Sequence, residues 1–281
     1  MSNISLKLDA EKIARLKQTF KDCIKNNPNE YIDTFIQRDD LTISIYKSGK
    51  VVFQGNDAFF YASAYLDKKL ARQAGSDEVG TGDYFGPVCV CACIVEENEF
   101  SLLDELHVTD SKQLTDNKII EIAPILINKI KHSLLILDNL KYNEVHEKYN
   151  LNAIKAKLHN KAYLNLLDKG YDIPKAAYVD EFTPKDIYFS YLKDEPNVYH
   201  DLVFETKAES NYPAVACASV IARYAFLEKM KQLENKYQMR FHLGAGDDTN
   251  EDIKVFVSKY GTDRLKEVAK VHFKNSEIIK S

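Results

Sequence analysis

The 281-residue chain is 45% hydrophobic and 28% charged and carries a formal net charge of −4, a globular composition that excludes a disordered or fibrous chain. Its longest apolar run, Val88 to Val95, is far short of the roughly 20 residues of a membrane helix, and its opening residues lack the apolar segment of a secretory signal. A cytoplasmic location is therefore expected. Charge is unevenly divided, +3 over residues 1–72 and −7 over the remainder, as suits a polyanion-holding module joined to an acidic, metal-using body.

Taken in chain order, apolar residues at Ile13, Leu16, Phe20 and Ile24 predict an amphipathic helix from Asp9 to about Ile24. From Tyr31 the pattern turns β-rich. Leu41 to Tyr46 alternates, Lys47-Ser48-Gly49-Lys50 makes a turn, and Val51 to Gln54 returns, so a hairpin is predicted. Helical character resumes from Ala58 to Leu70, and the polar stretch Lys68 to Gln73 reads as a linker. Two domains follow, 1–70 a small α+β unit and 71–281 an α/β unit. In the second, Val88 to Val95 is apolar on both faces, as a central strand should be. Asn117 to Ile130 is helical, Ser133 to Leu137 strand-like, Asn152 to Leu167 helical, and Ala177 to Val179 a short strand ending at Asp180. Tyr212 to Tyr237 and most of Glu251 to Lys274 are again helical. Five cysteines include Cys89, Cys91 and Cys93 at strand spacing; with no C-x-x-C pair or matching histidines, buried core residues of a reducing compartment are expected rather than a zinc site.

Chemistry concentrates at residues 75–87, GSDEVGTGDYFGP. Counting from Gly80, Phe85 stands where a dinucleotide fingerprint needs its third glycine, and no lysine follows Gly80 as a phosphate loop demands. The adjacent acids Asp77 and Glu78 need a partner or a cation if buried, and Gly80-Thr81-Gly82 lets backbone N–H groups approach a ligand. Asp180 follows apolar Tyr178-Val179, whereas Glu181 should face the other way. Glu209 stands just ahead of the long helix, where Ser210 suits a cap and Pro213 the first turn. Each acid also has a plain reading: solvated turn charges for Asp77 and Glu78, and a favourable helix-dipole charge for Glu209. Three sequence-distant acidic positions of hard oxygen ligands nonetheless suit Mg2+ or Mn2+. Asp83 and Asp110 are further candidates to support the site.

These segments resemble the type 2 family of ribonucleases H, and more closely its type 3 branch. Residues 75–87 look like that branch's opening block, with Gly80-Thr81-Gly82 where type 2 enzymes proper have Gly-Arg-Gly. Further matches are Asp110-Ser-Lys-Gln-Leu114, Tyr178-Val-Asp180, Lys207-Ala-Glu209 with Ala216 to Arg223, Leu243 to Gly246, and Val271 to Asn275, in family order. The resemblance implies a ribonuclease H-like mixed sheet flanked by helices, preceded by a TATA-binding-protein-like α+β domain that holds the duplex. Tyr46, Lys47 and Lys50 lie in a segment similar to that domain's hairpin. It implies a metal-binding catalytic quartet of Asp77, Glu78, Asp180 and Glu209, the last departing from the Asp of the wider family. Substrate contacts would come from Gly80, Thr81, Gly82 and Lys112. The implied reaction is two-metal hydrolysis of the RNA strand of an RNA/DNA hybrid, leaving 3′-hydroxyl and 5′-phosphate ends. The alternatives are incision at single ribonucleotides in duplex DNA and hybrid binding without catalysis. No protein partner is implied, and a monomer is the default.

Overall fold

A computed structural model describes residues 2–38, 41–55, 58–63, 65, 71–108 and 114–279. The chain divides into two compact units, Met1–Ala71 and Arg72–Ser281.

The first unit holds β1 (Ser2–Lys7), α1 (Ala10–Thr19), β2 (Ile24–Lys25), β3 (Ile32–Arg38), β4 (Leu41–Tyr46), β5 (Lys50–Gly55) and α2 (Ala58–Ser63). Its strands form an antiparallel sheet in the order β1-β5-β4-β3-β2. Alternate residues Ile43, Ile45, Val51 and Phe53 face a core shared with Leu16 and Phe20 of the helical segment. Asp9 caps α1 by accepting the Lys12 N–H at 2.8 Å. The predicted helix to Ile24 stops short, at Thr19. Phe20 is buried with its ring edge-on to Tyr61, the chain makes a 3-10 turn at Lys21–Cys23, and Ile24 pairs with Ile36 as a strand. Sheet pairing here overrides a four-residue apolar spacing. Of the helix expected from Ala58 to Leu70, Ala58–Ser63 is described as α2; residues 64 and 66–70 lie outside the described residues.

The second unit holds β6 (Gln73–Val79), β7 (Val88–Val95), α3 (Phe100–Glu105), α4 (Asp116–Lys129), β8 (Lys131–Leu137), α5 (Asn139–His146), α6 (Leu151–Asp168), β9 (Ala177–Asp180), α7 (Lys185–Ser190), β10 (Val203–Glu205), α8 (Pro213–Tyr237) and α9 (Asp247–Tyr260). The sheet order is β10-β9-β6-β7-β8, with β6, β7 and β8 antiparallel neighbours and β9 and β10 running parallel to β6. It is the mixed α/β sheet with flanking helices that the sequence predicts. Helix α6 matches the predicted Asn152 to Leu167, and α5 and α7 fall in stretches read without an element, since short segments leave little periodicity to read. Of the helical tail expected from Glu251 to Lys274, α9 ends at Tyr260 and a 3-10 turn follows at Thr262–Glu267.

The pleat of β7 sorts its residues onto two helices. Val88, Val90, Ala92 and Ile94 pack with Ile154, Ala156 and Tyr163 of α6. Cys89, Cys91 and Cys93 turn the other way, where Cys93 meets Cys217 of α8, and all four thiols are buried. On neighbouring β6, Gly75 faces α8 so closely that an added Cβ would lie 2.4 Å from the Val215 backbone nitrogen. Helix α8 therefore lies directly on the strand that carries the acids. Gly75→Ala is expected to lower stability by roughly 1–3 kcal/mol through overpacking, read as a thermal midpoint several degrees below the parent's.

Candidate active site

Ser76, Asp77 and Glu78 succeed one another on β6, and a strand turns successive side chains to opposite faces. Asp77 points to the α8 side and hydrogen-bonds Ser219 of that helix, while its Oδ1 accepts the Glu78 N–H at 2.7 Å. Glu78 and Ser76 point to the α6 side. The parallel register that sets Gly75 beside Tyr178 and Ser76 beside Val179 continues to place Asp180 next to Asp77, on the same side of the sheet. Asp180 Oδ1 accepts the Ala208 N–H at 2.8 Å, and its carboxyl shares a hydrogen bond with Glu209. Glu209 sits on a single 3-10 turn, Ala208–Ser210, entered through Lys207 in the left-handed region at φ 57°. Such a conformation is uncommon for a residue with a side chain and collects at functional sites.

Ser210 does not cap α8 as expected. It closes the 3-10 turn by donating its N–H to Lys207 O at 3.0 Å, and α8 opens at Pro213 with Tyr212 at the cap position, its hydroxyl donating to Glu205 Oε2 and not to the helix's first turn. The Tyr212 ring is instead stacked on Tyr178 with centroids 3.6 Å apart, and this stack pins the loop that presents Glu209 to β9.

The electrostatics follow from gathering like charges away from water. Burial first, and then the charge of Glu78, push the Asp77 carboxyl up to about 8, against the bonds from Ser219 and the Glu78 N–H. Asp180 is also raised, by burial and by the charges of Glu209 and Glu78, although the Ala208 N–H opposes this. Glu78 behaves differently. Burial would raise it, but the hydrogen bond and charge of His159 and the charge of Lys155 outweigh that and hold it below its ordinary value.

Asp77, Asp180 and Glu209 thus lie together on one side of the sheet, with Glu78 on the other side within reach of their field. Among the described residues no three acidic, histidine or cysteine side chains already surround one ion position. The donor set is nevertheless all hard oxygen, and a divalent ion would relieve the repulsion that raises Asp77 and Asp180, so these residues fit Mg2+ or Mn2+.

Beside the acids opens a groove of about 360 Å3 lined by Glu78, Gly80, Thr81, Gly82, Ser219 and Arg223, among others. Gly80 has φ +93°, and a Cβ there would meet Pro87 O at 2.2 Å, so its bareness serves the turn itself. Gly82 has nothing within 4 Å of its Cβ position and leaves open space for an approaching ligand. Arg223 Nε and Nη2 each bond an oxygen of Asp116 at 3.0 Å. The turn is tied down from the chain's other end, where buried Lys270 donates its ammonium to the carbonyls of Asp83 and Gly86 at 2.8 and 2.5 Å. Burial pulls that ammonium down to about 7. Asp83 accepts the Gly244 N–H at 2.6 Å and is a structural group of the turn. Lys112 and Asp110 lie outside the described residues. Tyr46, Lys47 and Lys50 belong to the first unit, with both lysines exposed around the hairpin turn. Glu181 is half-buried and joins β10 through its N–H to Glu205 O.

Ser219, Lys155, His159 and Lys270 have no counterpart in the sequence reading. One signal was there for two of them: Lys155 and His159 are spaced i, i+4 on the face of α6 that also carries Ile154, Ala162 and Tyr163, an ionisable pair on an otherwise apolar side.

Comparison with known proteins bears on this geometry. The Ribonuclease HII family profile matches residues 74–276, and a domain family of unknown function, DUF3378, matches residues 3–77. Ribonuclease HIII of Lactococcus lactis subsp. lactis (strain IL1403) is 39% identical over 98% of this chain and 97% of its own length. Ribonuclease HIII of Phytoplasma mali (strain AT) is 39% identical over the same shares of the two chains. Among solved structures, Bst-RNase HIII in complex with Mn2+ is similar with a TM-score of 0.72 and 33% identity, over 99% of this chain and 97% of that one.

A carboxyl whose folded pKa lies above its unfolded value keeps a proton that the unfolded chain has lost, so its contribution to stability falls as pH rises from about 4 to about 8. In chelator, Asp77→Asn is therefore expected to melt above the parent at pH 8, with the gap closing towards pH 5. Thermal unfolding at the two pH values checks this; an equal gap at both would overturn the assignment.

Proposed function

The chain belongs to the ribonuclease HII family, within its ribonuclease HIII branch, and from that premise we propose that Asp77, Glu78, Asp180 and Glu209 are the catalytic quartet of a hybrid-cleaving ribonuclease H. The observation that carries this reading is the gathering of Asp77 and Asp180 on two adjacent parallel strands with Glu209 on the 3-10 turn beside them, where burial and nearby negative charge oppose the ionisation of Asp77 and Asp180. Two divalent ions held there, Mg2+ or Mn2+, would supply an activated water and a counter-charge for the departing 3′-oxygen.

The remaining chemistry is the chain's own. Ser219 and the Glu78 N–H fix one Asp77 orientation, and the Ala208 N–H fixes Asp180, so the acids are oriented before substrate arrives. The open space over Gly82 lets the turn's backbone approach a sugar edge, where the ribose 2′-hydroxyl is the group that tells RNA from DNA. Recognition by backbone and sugar implies cleavage of the RNA strand with little sequence preference, leaving 3′-hydroxyl and 5′-phosphate ends. Lys112 adds to that contact set. In the first unit, Tyr46, Lys47 and Lys50 form a basic, aromatic-flanked hairpin suited to the hybrid's phosphates. The reading places the protein in the cytoplasm as a monomer.

With labelled RNA/DNA hybrid and Mg2+ or Mn2+, the RNA strand is expected to be cut at many positions. Asp77→Asn and Asp180→Asn should each reduce the rate by about a thousandfold, some 4 kcal/mol of lost transition-state stabilisation. Cleavage of plain DNA duplex, or full activity in either variant, would overturn the proposal; cutting confined to single ribonucleotides would favour a junction-incising enzyme. Lys47→Ala with Lys50→Ala is expected to raise KM with kcat unchanged and to lower the slope of log affinity against log salt by about 1 per lysine, measured across a salt series.

A further inference from the structure

Glu78 is held differently from the other acids. Lys155 Nζ forms an ion pair with its Oε1, and His159 Nε2 lies 2.8 Å from its Oε2. An ionised carboxylate only accepts, so Nε2 carries the proton that faces it. The other ring nitrogen, Nδ1, lies 2.8 Å from Ser76 Oγ, which in the neutral ring donates its hydroxyl proton to Nδ1. Phe182 closes the arrangement, its ring stacked with the imidazole at 5.5 Å and lying under the Lys155 ammonium at 3.8 Å. Lys155 is 7% exposed and His159 fully buried. An ammonium and an imidazole brought this deep onto one carboxylate fix both of its oxygens, as partners behind a ligating group do.

We propose that Lys155 and His159 are positioning residues for Glu78: they hold its carboxylate in one orientation, with His159 anchored through Ser76 to the strand that also carries Asp77. The inference rests on the reading of Glu78 as a metal ligand. The plain competitor is a buried ion pair that serves stability only, and the two part on what else changes when the pair is broken.

The test uses His159→Phe, which keeps the ring volume against Phe182 and removes both nitrogens, and His159→Gln, whose amide can still donate to Glu78. Lys155→Met and Glu78→Gln complete the set. Folding is checked by circular dichroism and thermal unfolding, kcat and KM are measured on the hybrid, and Mn2+ affinity is measured by calorimetry on substrate-free protein. His159→Phe is expected to lower kcat and Mn2+ affinity by roughly 10–100-fold with KM changed by less than about twofold, and His159→Gln to recover most of the loss. Lys155→Met should lower kcat likewise. In a Glu78→Gln background His159→Phe should weaken Mn2+ no further, because its effect runs through that carboxylate. Parent-like kcat and Mn2+ affinity in folded His159→Phe and Lys155→Met would overturn the inference and leave the ligand reading intact. So would an undiminished His159→Phe effect without Glu78. Parent-like behaviour of Glu78→Gln itself would overturn the ligand reading beneath it. Should His159→Phe fail to fold, His159→Asn, whose amide is too short to reach Glu78, takes its place in every comparison.

Discussion

Four carboxyl groups held close together and largely out of water are the constraint around which the second unit is built. Nothing in a hydrophobic core compensates for such a cluster, so each acid must be met by a donor placed in advance. The unit supplies these from three elements: Ser219 from α8, the Ala208 N–H from a 3-10 turn, and Lys155 and His159 from α6. Two helices on opposite faces of one sheet are therefore required by the chemistry as well as by the burial of β7. The direct seating of α8 on Gly75 brings Ser219 within bonding distance of Asp77.

The turn that follows the acids depends on the far end of the chain. Lys270 bonds two carbonyls of the turn, its own N–H reaches Tyr84 O at 2.9 Å, and the Gly86 N–H reaches Val268 O at the same distance. Asn139 adds a bond to Gly86 O at 2.8 Å. A glycine-rich turn has many conformations to lose, and these long-range bonds select one of them. The groove lined by Gly82 and Thr81 therefore owes its shape to residues nearly 200 positions away. An ammonium satisfied by carbonyls inside the protein is a costly way to hold a loop, which explains why burial moves its pKa so far.

Much of this was legible in the sequence where local pattern carries the information. The alternation of Leu41 to Tyr46 appears as β4, the doubly apolar Val88 to Val95 as β7, and the long run to Tyr237 as α8. Asp77, Asp180 and Glu209 could be nominated because acids at strand ends or ahead of a helix stand out against apolar neighbours. Less legible was whatever pairing decides. Nothing local announces that Ile24 leaves a helical spacing to join a sheet, or that Ser210 closes a tight turn instead of capping a helix. Gly80 and Gly82 look alike in sequence, yet one is bare because Pro87 crowds it and the other faces open space. That distinction exists only once the turn is folded. The partners of Glu78 were hidden for the same reason, since α6 is more than 70 residues from β6 in the chain and adjacent to it only in the sheet.

The pleat gives the acid pair its division of labour. Were Asp77 and Glu78 on one face, a single counter-ion could serve both; on opposite faces they meet different helices and different charges. Glu78 meets an internal cation and is ionised in advance, whereas Asp77 and Asp180 have hydrogen-bond donors but no ion-pair partner among the described residues. Carboxyls that the protein leaves without an ion-pair partner mark, on the proposed reading, the side at which a divalent cation would bind. The side already neutralised is free to supply orientation, which a cluster of repelling carboxylates cannot maintain by itself. An adjacent Asp-Glu on a strand thus amounts to two separately managed charges, and the structure of the second unit follows from managing them on opposite faces of one sheet.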